Sequence, residues 1–190
     1  MAEILDRLSG QRLIDATPAV DVYRDTTCDE FDGVADRLEE AVDASVRQSL
    51  TTTYLAGPRT LYRFCHGADA EASIAGRGSW WTHDAPVVQG INAGRSLSRE
   101  QRAPSFRNTM RDRLAVKVDW NRMSSIRILR IPGDVSIRVM TALAAPQSDK
   151  DGGRHAGGGI QYILVLSQLF ASGIYPSEPE PLVRFLARQV

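Results

Sequence analysis

The 190-residue chain has few cysteines and histidines and lacks a long apolar run. Its two cysteines, Cys28 and Cys65, provide no disulfide framework and match no metal-ligand spacing, which favours a reducing compartment. The three histidines are scattered, so we expect no metal site.

No segment approaches the roughly 20 apolar residues that span a bilayer, and the N-terminus lacks the basic and apolar regions of a signal peptide. We expect no membrane partner and an action in the cytoplasm, with delivery by a specialised secretion system left open.

Lysine is also scarce, and charge is unevenly distributed. Residues 1–50 carry twelve acids and five arginines, whereas the net charge of the whole chain is zero. The remainder is therefore basic, and the two parts should attract each other. Lysine occurs only at Lys117 and Lys150, and arginine suits planar, bidentate contacts to phosphate or carboxylate. A GC-rich genome would produce the same bias without a physical reason.

The order of apolar patterns predicts an α+β fold. Apolar residues recur every three or four positions over residues 29–50, which predicts an amphipathic helix with an acidic face, and a shorter helix is expected within residues 4–20. After residue 57, short apolar runs predict strands, and the end of the chain (182–190) fits a helix or a strand. The predicted strands are 61–64, 114–118, 126–131, 135–140 and 160–166. We therefore divide the chain into an acidic helical region (1–57) and a strand-rich domain (58–190).

A polar run over residues 87–113 contains six arginines and two glycines. One interpretation is a solvated helix around residues 107–113 that leads into the strand at Leu114. The other is a cationic flap over an anionic ligand, because long polar loops are often functional. Glu178 and Glu180 have the spacing of paired catalytic glutamates, but they lie among prolines and are interpreted as a loop.

Three short segments combine groups that can hold an anion, a ribose or a flat ring. Tyr62 and Arg63 lie in an apolar run, from which a guanidinium could bind pyrophosphate or could simply be solvated. In the second segment, Ser79 and Thr82 flank Trp80 and Trp81. Adjacent strand residues face opposite sides, so one indole can enter the core while the other stacks on a cationic ring, although both could be packing residues.

The third segment is the triple glycine that precedes Gln161. Gly158 and Gly159 would permit close backbone approach to a ligand, or they form a flexible hairpin loop. Gln161 should face away from Ile160 and Tyr162.

In this order, the three segments resemble the ADP-ribosyltransferase superfamily. Residues 144–147 and 157–162 are similar to the end of the tuberculosis necrotizing toxin family, whose members are NAD glycohydrolases. The resemblance covers about residues 58–175 and implies a split mixed β-sheet core. It assigns Arg63 to the arginine that holds the dinucleotide. Gln161 falls where transferases carry a catalytic glutamate and the toxin family carries glutamine, and residues 79–82 occupy the motif that usually reads Ser-Thr-Ser.

The resemblance implies an NAD glycohydrolase toxin or effector, with NAD as substrate, no other cofactor and a cognate immunity protein as partner. Its catalytic residues would be Gln161 and Arg63, and its substrate-binding residues would be Tyr62, Ser79, Trp80, Trp81, Thr82, Gly158 and Gly159. Nicotinamide leaves NAD as a neutral molecule, so its departure needs no general acid. The alternatives are mono-ADP-ribosyl transfer to a protein or nucleic acid, and a non-enzymatic arginine-rich binding module. Under the favoured interpretation, nucleic acid is not expected as a partner.

Overall fold

The computed structural model describes residues 10–17, 51–65, 80–116, 118 and 121–189. These residues form an α+β fold, as predicted. The strands are β1 (Arg12–Asp15), β2 (Thr51–Ala56), β3 (Arg59–Cys65), β4 (Trp80–Trp81), β5 (Ser125–Ile131), β6 (Val135–Leu143), β7 (Gln147–Ser148), β8 (Arg154–His155), β9 (Ile160–Ile163) and β10 (Glu180–Pro181). The helices are α1 (Asp84–Ala93), α2 (Arg99–Leu114), α3 (Leu166–Phe170) and α4 (Leu182–Ala187).

Two main sheets contain most of the strands in the described part of the chain. The larger is mixed: β1 pairs with β6 in parallel, β2 and β9 pair with β6 in antiparallel orientation, and β4 pairs with β9. The smaller is antiparallel and has the order β10-β5-β3. Strands β7 and β8 form a separate hairpin.

The principal core lies between the two main sheets. Apolar residues of β1, β2, β6 and β9 pack there against Leu61 of β3 and Leu129 of β5, both fully buried. A second core lies on the other face of the smaller sheet, where α1, α2 and α4 cover residues such as Phe64 and Ile126. Alternate residues of β3 and β5 therefore serve different cores, as the two-residue period of a strand requires.

Helix α2 arises from an apolar stripe within the arginine-rich run. Its buried residues are Ala103, Phe106, Met110 and Leu114, which recur every three or four positions. Ser98 precedes the helix, and its N–H donates to the Gln101 side chain at 3.4 Å, an arrangement typical of a capping box. The helix ends where Ala115 adopts a left-handed conformation with φ of 50°.

Several predicted elements match the structure, and others are corrected. The strands predicted at 61–64, 126–131 and 135–140 are confirmed as parts of β3, β5 and β6. The cationic flap is wrong, because the run forms α1 and α2, whereas the helical interpretation is confirmed and extends further than predicted. The strand at 114–118 is also wrong, since the left-handed turn at Ala115 ends α2 without starting a strand. The strand predicted at 160–166 ends at Ile163, and the chain ends in the helix α4.

The N-terminal prediction is corrected in part. Residues 12–15 form the strand β1 instead of a helix, because Ile14 joins the inter-sheet core. The helix predicted over residues 29–50 lies outside the described residues. The division at residue 57 stays a prediction, but β1 and β2, which precede it, belong to the same sheet as β6. Glu180 of the predicted loop forms a short pairing with Ile126.

Among the described residues, no helix is both long and apolar enough to cross a membrane. Nor do three or more His, Cys, Asp or Glu side chains in this part of the chain gather as ligands for a metal ion.

Candidate functional site

A cleft opens where the two main sheets diverge. Tyr62 and Thr82 join the sheets, because each donates its backbone N–H to the carbonyl of the other at 2.8 Å. The cleft is open to solvent and has a cavity volume of about 140 Å³. Its wall comes from β3, from β4 and the residue after it, from β9, from the end of α2 and from the chain leading into β5.

The change from core to cleft is visible in the pairing of β3 with β5. Leu61 lies opposite Leu129, and both belong to the inter-sheet core. Two residues further along β3, Arg63 lies opposite Arg127 on the same face. The apolar core between the sheets therefore ends after Leu61 and Leu129, and the next pair on this face consists of two arginines. This end of the strand pair is therefore polar, whereas the neighbouring part that carries Leu61 and Leu129 is apolar.

Arg63 is half-buried and lines the cleft. No hydrogen bond or ion pair joins its guanidinium to another of the described residues. Arg127 is 8% exposed, has interactions of its own and does not line the cleft. Arg63 is thus the guanidinium at this site that is available to a ligand.

The two adjacent tryptophans face opposite sides, as the strand period predicts. Trp81 is 2% exposed and belongs to the inter-sheet core. Trp80 is half-buried, packs against Met140 and Ile163, and lines the cleft. An indole in this position can stack on a flat cationic ring.

Gln161 reaches the cleft from β9 and is held by the end of α2. Its Nε2 donates to the carbonyl of Leu114 at 2.9 Å. This bond fixes the orientation of the amide, and among the described residues the Oε1 atom has no partner. Gln161 therefore presents a hydrogen-bond acceptor to the cleft, suited to a hydroxyl group.

The glycines before Gln161 contact protein instead of the cleft. Gly157 and Gly159 donate their N–H groups to the carbonyls of Asp112 and Arg113, at 2.7 and 2.8 Å. A Cβ atom on Gly159 would lie 2.5 Å from the Arg113 carbonyl oxygen. The absence of a side chain at Gly159 therefore lets its backbone lie close to the end of α2, whereas the prediction was close approach to a ligand. Gly158 and Gly159 do not line the cleft, so the structure does not bring them together with Arg63.

Tyr62 and Thr82 lie at the cleft, but their hydroxyl groups are engaged elsewhere. The Thr82 hydroxyl donates to the carbonyl of Ile160 at 3.0 Å. Burial and the adjacent Asp84 carboxylate raise the pKa of Tyr62 to about 12, and the ring packs edge-on against Phe185. Both residues therefore stabilise the junction between the sheets. The third predicted hydroxyl, that of Ser79, lies outside the described residues.

The residues that the sequence analysis missed come from the end of α2 and the segment that follows it. Leu114, Val116, Asn121 and Met123 all line the cleft. Asn121 has no motif around it, so no sequence signal could have identified it. Leu114 could have been found, because it is the last member of the apolar stripe of α2.

No family model matches the chain, and no curated protein matches it. Two solved structures are similar to it. Rhs1-CT, in complex with its cognate immunity protein RhsI1, is 17% identical, with a TM-score of 0.43 over 70% of this chain and 80% of that chain. Tne2, in complex with Tni2, is 14% identical, with a TM-score of 0.43 over 70% of this chain and 92% of that chain.

Proposed function

We propose that this chain is an NAD glycohydrolase that cleaves the bond between nicotinamide and ribose to give nicotinamide and ADP-ribose. The observation that supports the proposal is the meeting of Arg63, Trp80 and Gln161 in one cleft, although they come from three separate segments of the sequence. These residues offer a guanidinium, an indole and an amide oxygen. The three groups match the pyrophosphate, the pyridinium ring and a ribose hydroxyl of NAD.

The roles follow from the chemistry of each group. Arg63 binds the pyrophosphate, and Trp80 stacks on the nicotinamide ring. Gln161 accepts a hydrogen bond from a ribose hydroxyl through Oε1, since its Nε2 is occupied by Leu114. Together they fix the dinucleotide while positive charge develops on the ribose.

The reaction balances with water as the only co-reactant. The bond between C1′ and the pyridinium nitrogen breaks, and its electron pair leaves with nicotinamide, which becomes neutral. Water adds to C1′, and its proton passes to solvent. Because the leaving group needs no proton, the polar groups of the cleft are sufficient without a paired carboxylate.

The biological role that we propose is that of a toxin or effector domain with an acidic immunity protein as its partner. This part rests on the sequence resemblance and on charge, because the described residues include seventeen arginines and lysines against nine acids. Arg95, Arg99 and Arg102 cluster at the start of α2 and form no ion pair with other described residues. Complementary charge would speed the association with an acidic inhibitor.

The test is incubation of the purified protein with NAD, following nicotinamide and free ADP-ribose. Equal amounts of both products are expected. Removing a charge-assisted contact worth about 1.5–3 kcal/mol should reduce kcat/KM roughly 10- to 150-fold in Arg63→Ala, and Gln161→Ala should also lose activity. Arg154→Ala and Gln168→Ala are matched controls, because both residues are exposed and do not line the cleft.

The other outcomes separate the alternatives. Release of nicotinamide with ADP-ribose attached to a macromolecule would show transfer. No release at all, together with binding to an acidic partner that weakens steeply with salt, would favour the binding module.

A further inference from the structure

We propose that Asn121 is a positioning residue of the cleft, and that it acts by holding the backbone of β3 beside Arg63. The inference rests on the proposed function. Asn121 lines the cleft between the end of α2 and β5, and no sequence motif identifies it.

Asn121 joins three parts of the structure through hydrogen bonds of normal length. Its Nδ2 donates to the carbonyl of Phe64 at 2.8 Å, and its Oδ1 accepts from the N–H of Met123 at 2.7 Å. Its own carbonyl accepts from the Arg111 guanidinium at 3.0 Å. One residue therefore links β3, α2 and the segment that leads into β5.

The bond from Asn121 to Met123 also supports an unusual backbone conformation. Met123 has a φ of 49°, in the left-handed region that is disfavoured for residues with a side chain. Its side chain is 1% exposed and lines the cleft. An Asn side chain that accepts from the backbone two residues ahead stabilises such a turn.

The bond from Asn121 to Phe64 bears on the ligand because of its place in β3. Phe64 directly follows Arg63, whose guanidinium has no partner among the described residues. The position of that guanidinium therefore depends on the backbone that carries it. Displacement of that backbone would therefore move the guanidinium away from the ligand that it binds.

The variant that isolates this role is Asn121→Ser. A serine hydroxyl can still accept from the N–H of Met123, but it is too short to reach the Phe64 carbonyl. We expect the KM for NAD to rise about tenfold with a much smaller change in kcat, as loss of one well-made hydrogen bond in a binding contact predicts. Asn108→Ser is the matched control, because Asn108 is exposed on α2 and does not line the cleft.

A double-mutant cycle distinguishes positioning from a general structural role. If Asn121 acts through Arg63, adding Asn121→Ser to Arg63→Ala should leave KM close to that of Arg63→Ala alone. Additive effects, or a lowered melting temperature with unchanged KM, would overturn the proposal. Should Asn121→Ser fail to fold, Arg111→Met tests the same connection from α2, and an unchanged KM in that variant would also overturn it.

The wild-type protein, measured in the same assay, separates the two levels of inference. Absence of NAD turnover by the wild type would refute the proposed function and this inference with it. Turnover by the wild type with an unchanged KM in Asn121→Ser would refute the role of Asn121 alone.

Discussion

Replacing Gln161 with glutamate should destabilise the protein in a way that depends on pH. The amide of Gln161 donates to the Leu114 carbonyl at 2.9 Å, at the C-terminal end of α2. A carboxylate at position 161 cannot donate, and it would place negative charge beside the negative end of a helix dipole. The substitution therefore replaces an attraction with a repulsion while hardly changing the shape of the side chain.

The magnitude follows from these two effects. The lost hydrogen bond contributes about 1 kcal/mol, and the unfavourable charge adds about 1–2 kcal/mol at a half-buried position. The total of roughly 2–3 kcal/mol should lower the melting temperature by about 4–12 °C for a chain of this size. When residue 161 is protonated it can donate again, and the loss should shrink to about 1 kcal/mol or less.

The direction of the pH dependence is fixed by the pKa shift that the site imposes. The Leu114 carbonyl favours the protonated form, so the pKa of a glutamate at position 161 is raised in the folded protein. Such a group loses its stabilising contribution as pH rises through the folded pKa. The free energy of unfolding of Gln161→Glu, relative to wild type, should therefore be less reduced near pH 4 than near pH 7.

The assay is denaturant unfolding of wild type and variant at both pH values. Gln168→Glu is the control, because Gln168 is exposed on α3 and undergoes the same change of charge without a carbonyl opposite it. An equal loss of stability at the two pH values, or no loss at either, would refute the contact between Gln161 and Leu114.

Two further predictions concern the junction and the glycine segment. Burial and Asp84 raise the pKa of Tyr62 from 10.0 to about 12. The contribution of Tyr62 to stability is therefore complete below pH 10 and is lost as pH rises toward 12. Tyr62→Phe should lessen the alkaline loss of unfolding free energy, and an unchanged loss would contradict this prediction. Gly159→Ala should cost about 2–3 kcal/mol, because its Cβ would meet the Arg113 carbonyl oxygen at 2.5 Å. A Cβ atom on Gly158 would meet no atom within 4 Å, but the residue has a φ of 79°. Gly158→Ala should therefore lower the free energy of unfolding by only about 1–2 kcal/mol. Thermal unfolding that finds Gly158→Ala less stable than Gly159→Ala would contradict the packing argument.

The sequence alone determined the features that depend on short-range pattern. The strand around Arg63 and the opposite orientation of Trp80 and Trp81 follow from a period of two residues, which is local to the chain. The apolar stripe that ends at Leu114 also predicts a helix, although the predicted helix around residues 107–113 covers only the last part of α2.

Tertiary structure decided which of these residues meet and what the glycines do. Gly159 is needed because β9 enters the sheet against the end of α2, and contacts between distant segments leave no periodic signal. The same packing gives Gln161 its hydrogen bond to Leu114 and brings Asn121 beside β3. A local sequence pattern shows which face of a helix or strand is apolar. The candidate site depends instead on how separate helices and strands are placed, and the packing of the two hydrophobic cores fixes that placement.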